Sequence, residues 1–259
     1  MKEKIKRLAE EVMSILGPGL KEDPYEKALS HELRLNNIPY TRQRNIEIIY
    51  RGYYLKDVKS DIIVDDKLLL ELKTAKPNKD HVKQAQVYMH SLNIDEGMVI
   101  GFQKDGNVGF IDVAKPDLPS FRISVDKRMD IKANIDIEEE LISMGRRIMD
   151  YFGTEFMFTD AKFDIYISAL KVELILAGFN PRGAEVPVMY KNHVIATEKI
   201  DLVIENRIGI VPIQVKKEND IQSKMDSINR VFPSSDLEKI YILTFPSSEK
   251  FEMELKKIE

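Results

Sequence analysis

Apolar residues at Ile5, Leu8, Val12 and Ile15 recur at helical spacing, so residues 3–16 are expected to form an amphipathic helix. Gly17-Pro18-Gly19 breaks it. A second helix is expected from about Glu22 to Asn36. Its opening, Asp23-Pro24-Tyr25-Glu26, resembles a capping box with proline at the first helical position. Tyr25, Ala28, Leu29, Glu32 and Leu33 share one face of this helix, which leaves an acid on an apolar stripe. The period then changes. Ile46–Tyr50, Ser60–Val64 and Leu68–Leu72 read as strands, the last apolar on both faces as expected for a covered central strand. Lys76-Pro77-Asn78 ends it. A helix over about Asp80–Leu92 and strands near Met98–Phe102 and Val108–Val113 follow. The order α-β-β-β-α-β predicts an α/β unit with a central mixed sheet flanked by helices.

The pattern then starts again. Residues 116–134, opening on Pro116-Asp117-Leu118-Pro119, read as a linker with one strand, and a helix near Ile137–Phe152 restarts the order. Tyr25, Ala28, Leu29, Glu32 and Leu33 match Tyr166, Ala169, Leu170, Glu173 and Leu174 at a constant separation of 141, and Asp61 matches Asp201 at 140. Pairing Glu71-Leu72-Lys73 with Gln214-Val215-Lys216 needs a three-residue insertion, expected around Gly209. The expected layout is therefore a tandem pair: residues 1–115, a linker over 116–134, and residues 135–259.

The first copy carries the fuller chemistry. Side chains alternate along a strand, so Glu71 and Lys73 point the same way. Asp61 opens the neighbouring strand, and a tight turn at Asp65-Asp66 folds the two together. Two carboxylates so placed can share Mg²⁺ or Mn²⁺, a hard cation that polarises a phosphate and acidifies a bound water. Lys73 would orient that water and offset developing charge. A cross-strand ion pair is the ordinary reading of an isolated E-x-K. Glu22 and Glu32 are the acids on the preceding helix; ten positions, about 15 Å, separate them, so both cannot reach one ion. On the later helix His81, Gln84 and Tyr88 form a polar strip, either a solvated face or one turned to substrate. Arg42 and Arg44 lie among Tyr40, Tyr50, Arg51, Tyr53, Tyr54, Lys56 and Lys59, a set able to bind phosphates and stack on bases, or simply an exposed hairpin.

Composition narrows the field. With no Cys, disulfides, thiolate zinc sites and iron–sulfur clusters are excluded. No apolar run approaches the roughly 18 residues of a membrane span, and the N-terminus lacks a signal-peptide core, so a cytoplasmic protein without a membrane partner is expected. The net charge of −4 means that any nucleic-acid contact must be local.

Gly19-Leu20-Lys21-Glu22-Asp23-Pro24-Tyr25 and its continuation to Leu33 resemble the signature of the GxxExxY family. Asp61, Glu71-Leu72-Lys73 and Gln84-Ala85-Gln86-Val87-Tyr88 resemble the D, ExK and QxxxY motifs of the PD-(D/E)XK nuclease superfamily, in particular its RecB-like branch. The resemblance covers residues 1 to about 115. It implies two tandem restriction-endonuclease-like domains, metal binding by Glu22, Asp61 and Glu71, a catalytic Lys73, and substrate support from Gln84 and Tyr88. It favours Glu22 over Glu32.

The second copy departs from the plan at three points. Gln214 replaces an acid, Phe163 stands where Glu22 would, and Gln222 is followed four residues on by Asp226. Asp201, Gln214 and Lys216 are a possible second site, expected to be degenerate. The expected function is metal-dependent hydrolysis of phosphodiester bonds in DNA. The alternative is a non-catalytic nucleic-acid-binding or assembly protein that retains the fold. A homodimer or an internal pseudo-dimer is open.

Overall fold

The structure is a computed structural model that describes residues 1–116, 136–154, 160–248 and 250–259, without the side chains of 160–162. The chain divides into two compact units between residues 121 and 122. The expected linker over 116–134 lies almost wholly outside the described residues.

Unit 1 opens with α1 (Lys2–Leu16) and α2 (Glu22–Leu35). In α1 the buried stripe is Ile5, Leu8, Ala9, Val12 and Met13, while Ile15 is exposed. The expected capping box at Asp23 does not form. Lys21 is the N-cap, Glu22 and Asp23 occupy the first turn, and Asp23 pairs with Lys27 at 2.7 Å. Pro24 falls within that first turn, where a missing N–H leaves no helical bond unmade, so Glu22 stays in the helix.

Five strands precede the next helix rather than three: β1 (Tyr40–Arg42), β2 (Asn45–Tyr50), β3 (Tyr53–Lys59), β4 (Ile62–Val64) and β5 (Leu68–Lys73). After them come α3 (Lys79–Leu92), β6 (Glu96–Phe102) and β7 (Val108–Ala114). The main sheet runs β1-β4-β5-β6-β7, and only β5–β6, bridged by α3, is parallel. β2 and β3 form a separate ribbon. Every residue of β5 is buried. Its Leu68, Leu70 and Leu72 join Tyr25, Leu29, Leu33, Met98, Ile100 and residues of α1 in one core. By alternation Leu69, Glu71 and Lys73 face the other way, toward α3. β2 packs on α3 and buries Ile46, Ile48 and Tyr50.

Tyr25 fixes the junction of the first two helices. Its hydroxyl donates to the Gly17 carbonyl at 2.7 Å and its ring stacks on Phe102 at 4.3 Å. Tyr25→Phe removes this bond and a longer one accepted from the Leu20 N–H at 3.4 Å, and is expected to cost about 1 kcal/mol; urea unfolding measures it.

Unit 2 contains α4 (Ile137–Phe152), α5 (Asp160–Leu176), β8 (Arg182–Tyr190), β9 (His193–Ile204), β10 (Ile208–Val215), α6 (Asp220–Val231), β11 (Lys239–Pro246) and β12 (Leu255–Ile258). Its sheet runs β12-β11-β10-β9-β8, again with one parallel pair, β10–β11, bridged by α6. Both units are thus mixed α/β, each with a mixed sheet flanked by helices. Local details recur as well. The Tyr166 hydroxyl donates to the carbonyl of Gly153, which caps α4, at 2.7 Å. The turn between β4 and β5 has Asp65 and Asp66 left-handed, and the turn between β9 and β10 has Glu205 and Asn206 left-handed. Lys67 N–H and Arg207 N–H close these two turns on Val64 and Ile204 at 3.0 and 3.1 Å.

Candidate metal and phosphodiester site

The Asp65-Asp66 turn fixes Ile62 opposite Leu70, so Asp61 stands just beyond the paired positions, level with Glu71. One oxygen of Asp61, Oδ2, accepts the Leu72 N–H at 2.7 Å. Lys73 Nζ donates to Glu71 Oε1 at 2.7 Å, and both side chains are buried. The other Glu71 oxygen, Oε2, is buried with no hydrogen-bond partner. A desolvated carboxylate oxygen is costly to leave unbonded.

The charges agree with the geometry. Burial first, then the Glu71 charge, pushes the Asp61 carboxyl well above its ordinary range. Burial opposes the charge on Lys73, but Glu71 outweighs it by charge and hydrogen bond, with Asp61 and Glu22 adding, so the ammonium is held protonated with a raised pKa. Lys73 is thus a cation that donates to Glu71. Acids outnumber cations here, and a divalent ion would relieve the repulsion between Asp61 and Glu71. Two carboxylates and an unbonded oxygen suit a hard, oxygen-seeking cation. Among the described residues no three His, Asp or Glu side chains already stand close enough to hold one ion. Glu22, the first residue of α2, acts on Lys73 by charge without completing such a trio. Glu32 lies ten residues further along α2, half-buried.

α3 closes this face. Asn78 caps it with a capping box completed by His81, whose Nδ1 accepts the Asn78 N–H at 3.2 Å. His81, Gln84 and Tyr88 are all buried, so the strip is not a solvated face. Gln84 Nε2 donates to the Tyr88 hydroxyl at 3.0 Å, and Gln84 Oε1 is buried with no partner. Burial, and then the charge of Lys73, lowers His81 from 6.5 to about 4. His81 thus folds neutral, and stability is lost as pH falls from 6.5 towards 4, because the unfolded chain takes up the proton first. Solvent screening keeps the loss below the roughly 3 kcal/mol that the full shift would give. His81→Asn should flatten that part of the acid limb in thermal melts from pH 7 to 4.

The basic residues divide. Arg42 Nε binds Glu26 Oε1 at 2.9 Å, so this half-buried guanidinium is committed to an internal acid. Arg44 makes an exposed pair with Asp66 at 3.2 Å, a weak contact that a phosphate could replace. Tyr50 is core, whereas Tyr54 is exposed. Glu26 itself was not picked out from the sequence. It is buried, one turn after Glu22, and its charge reaches Asp61. The signal was its spacing of four from Glu22, masked by its reading as the end of a capping box.

Unit 2 does not assemble the same groups. Its hairpin pairs Ile204 with Ile208 and Leu202 with Ile210, where unit 1 pairs Val64 with Leu68 and Ile62 with Leu70. The separation of 140 therefore holds through Gly209, and the expected insertion is absent from the hairpin. Val211 and Ile213 occupy the places of Glu71 and Lys73, and both join the apolar cluster with Ile228 and Val231 of α6. Gln214 lies three residues beyond Val211, about 10 Å along the strand and on the opposite face. The β10–β11 register is unbroken across it. Asp201 pairs with Lys199 at 3.0 Å, and the Lys216 N–H binds Asp220. Asp201, Gln214 and Lys216 do not form a counterpart of the unit 1 trio. Glu173, the counterpart of Glu32, is buried and held by Arg147 at 2.8 Å.

Residues 1–113 match the family model of the PD-(D/E)XK nuclease superfamily. That region contains every residue of the unit 1 site. Among solved structures, the chain is similar to SSO0001 at 20% identity and TM-score 0.30, over 36% of this chain and 50% of that one. It is also similar to an alkaline exonuclease (LHK-Exo) from Laribacter hongkongensis, at 16% identity and TM-score 0.29, over 37% and 55%. The chain thus spans about half the length of these structures. No curated protein matches it significantly. Among the described residues, no helix is long and apolar enough to cross a membrane.

Proposed function

We propose that unit 1 is a metal-dependent nuclease that hydrolyses phosphodiester bonds in DNA, with residues 1–115 as the catalytic domain. The observation that carries this is the pair Asp61 and Glu71 beside Lys73, with one Glu71 oxygen buried and unbonded. The family match over residues 1–113 supports it. Asp61 and Glu71 would hold Mg²⁺ or Mn²⁺, with Glu22 contributing from the start of α2. Bound there, the ion would polarise the scissile phosphate and acidify a water. Lys73, kept protonated by its acidic neighbours, donates to that water or to the phosphate and offsets the charge that develops. Gln84 keeps an unbonded Oε1 and holds Tyr88, so this buried pair supports the substrate side of the site from α3. Arg44 exchanges its exposed pair with Asp66 for a backbone phosphate. Arg42 is not in that set.

The segment Gly19–Tyr25 fits the GxxExxY signature, with Glu22 on the charged face and Tyr25 as a structural lock. We also infer that the units descend from one duplicated domain, with residues 135–259 as the second copy. Shared strand order, matching left-handed turns and the repeated tyrosine contact support this. The second copy has lost the chemistry, because Val211 and Ile213 fill the places of the acid and the lysine. The proposed setting is the cytoplasm.

Incubating the full chain with linear, circular, single-stranded and branched DNA, with Mg²⁺, Mn²⁺ or EDTA, tests this reading. Metal-dependent cleavage that survives Lys216→Ala is expected. Absence of cleavage on every substrate would contradict it.

A further inference from the structure

The unit 1 sheet is interrupted where Asp61 sits, and the interruption is held from outside the sheet. Arg42 pairs with Ile62 at the end of β1, and the ribbon resumes at Asn45 opposite Lys59. Between them Gln43 turns left-handed, with φ of 51°. For a residue other than glycine that conformation carries a backbone cost, which neighbouring contacts can offset. The turned backbone is tied to Asp61 directly, since the Gln43 N–H donates to the Asp61 carbonyl at 3.0 Å. On the next step Ser60 N–H donates to the Arg44 carbonyl at 3.0 Å. Asp61 is therefore gripped on both sides by the kinked segment 42–44.

Glu26 supplies the grip. Its carboxylate is buried on α2 and receives Arg42 Nε on one oxygen at 2.9 Å and Gln43 Nε2 on the other at 2.7 Å. Each oxygen thus takes one of the two side chains that bracket the kink. The second unit serves as an internal control. With Tyr25 matching Tyr166, the position of Glu26 is Ile167. There Gly183 follows Arg182, the β8–β9 register shifts between Arg182 and Ala184, and Asp201 pairs with its own strand neighbour Lys199. The clamp is missing from the unit that also lacks the acid and the lysine.

We propose that Glu26 is a positioning residue for Asp61: by binding Arg42 and Gln43 it locks the left-handed kink whose N–H fixes the Asp61 backbone, and so aims the Asp61 carboxylate at Glu71. This rests on the reading of Asp61 and Glu71 as the metal ligands. Glu26 touches neither ion nor substrate. It accounts for the charge at 42 as a structural group rather than a phosphate binder.

The test uses the full chain and Mn²⁺ alone, with no substrate. Titration of Mn²⁺ by calorimetry is run beside amide hydrogen exchange at Gln43 in metal-free protein, on wild type, Glu26→Ala, Glu26→Gln and Asp61→Ala. Loss of a supporting group of this kind typically weakens metal binding about 10- to 100-fold. Glu26→Ala should weaken Mn²⁺ by that range and speed exchange at Gln43, and Glu26→Gln, which keeps its size and one acceptor, should fall between it and wild type. Adding Gln43→Gly to Glu26→Ala should recover much of the affinity, because glycine adopts the left-handed kink unaided and keeps the N–H. A role in fold stability alone would lower the melting temperature of the Glu26 variants but leave Mn²⁺ affinity and Gln43 exchange as in wild type, and that overturns the proposal. Wild type that binds Mn²⁺ no better than Asp61→Ala would instead overturn the metal reading, and this role with it.

Discussion

Lys73→Met is expected to lower cleavage by about three orders of magnitude, the scale on which loss of one donor to a developing oxyanion is felt. The same change should destabilise the metal-free protein by about 3–5 kcal/mol. Glu71 would then be a buried carboxylate with neither oxygen partnered, and breaking a buried pair from one side leaves an uncompensated charge. The two effects part on adding metal. In wild type Lys73 already neutralises Glu71, whereas in Lys73→Met a divalent ion is the main compensating charge. Mn²⁺ should therefore raise the melting temperature of the variant more than that of wild type, while activity stays lost. Lys216→Ala should change neither quantity, since Lys216 is an exposed residue of the unit that lacks the acid pair.

Asp61→Asn is expected to abolish metal-dependent cleavage yet stabilise the metal-free protein. The reason is the sign of the Asp61 shift. Burial and the Glu71 charge raise its pKa in the fold, so the folded protein holds this proton more tightly than the unfolded chain does. Such a group adds stability as pH falls from neutral toward its ordinary value of 3.8, and withdraws it as pH rises through the folded value. At neutral pH the burial of Asp61 beside Glu71 is a cost that a bound cation offsets. Asparagine can still accept the Leu72 N–H and carries no charge. A gain of about 1 kcal/mol, or roughly 2–6 °C, is expected in EDTA. The gain should shrink on acidification and reverse under saturating Mn²⁺, which stabilises only the wild type. Melting both proteins with and without Mn²⁺ at pH 7 and pH 5 measures this. His81 acts with the opposite sign between 6.5 and about 4, so wild type and variant must be compared at the same pH.

Much of this architecture could be read from residue spacing because the strongest signals were local. Leu68–Leu72 had to be a covered strand, and β5 is buried throughout. Glu71 and Lys73 share a face by alternation alone. Asp61 and the Asp65-Asp66 turn set the hairpin that brings the acids level. Weak signals failed for physical reasons. β1 and β3 are short or polar on their open face, so neither carries the periodicity that betrays a strand. For His81, Gln84 and Tyr88 spacing left a solvated face and a substrate-facing one equally open, because their cover, the β2–β3 ribbon and the sheet, comes from elsewhere in the chain. In the second unit Gln214 and Lys216 imitate the E-x-K spelling, but strand register, fixed by the Glu205-Asn206 turn, assigns those places to Val211 and Ile213. Glu26 escaped notice because its partners, Arg42 and Gln43, lie 16 and 17 residues away.

The proposed function stands or falls on whether Asp61 and Glu71 jointly seat a divalent ion beside Lys73. Crystals of the full chain soaked in Mn²⁺, with anomalous diffraction collected near the manganese edge, test it most directly. An anomalous peak is expected within bonding distance of an Asp61 oxygen and of Glu71 Oε2, and none at Asp201. No peak between Asp61 and Glu71 at saturating Mn²⁺, or a peak at Asp201 instead, would contradict it.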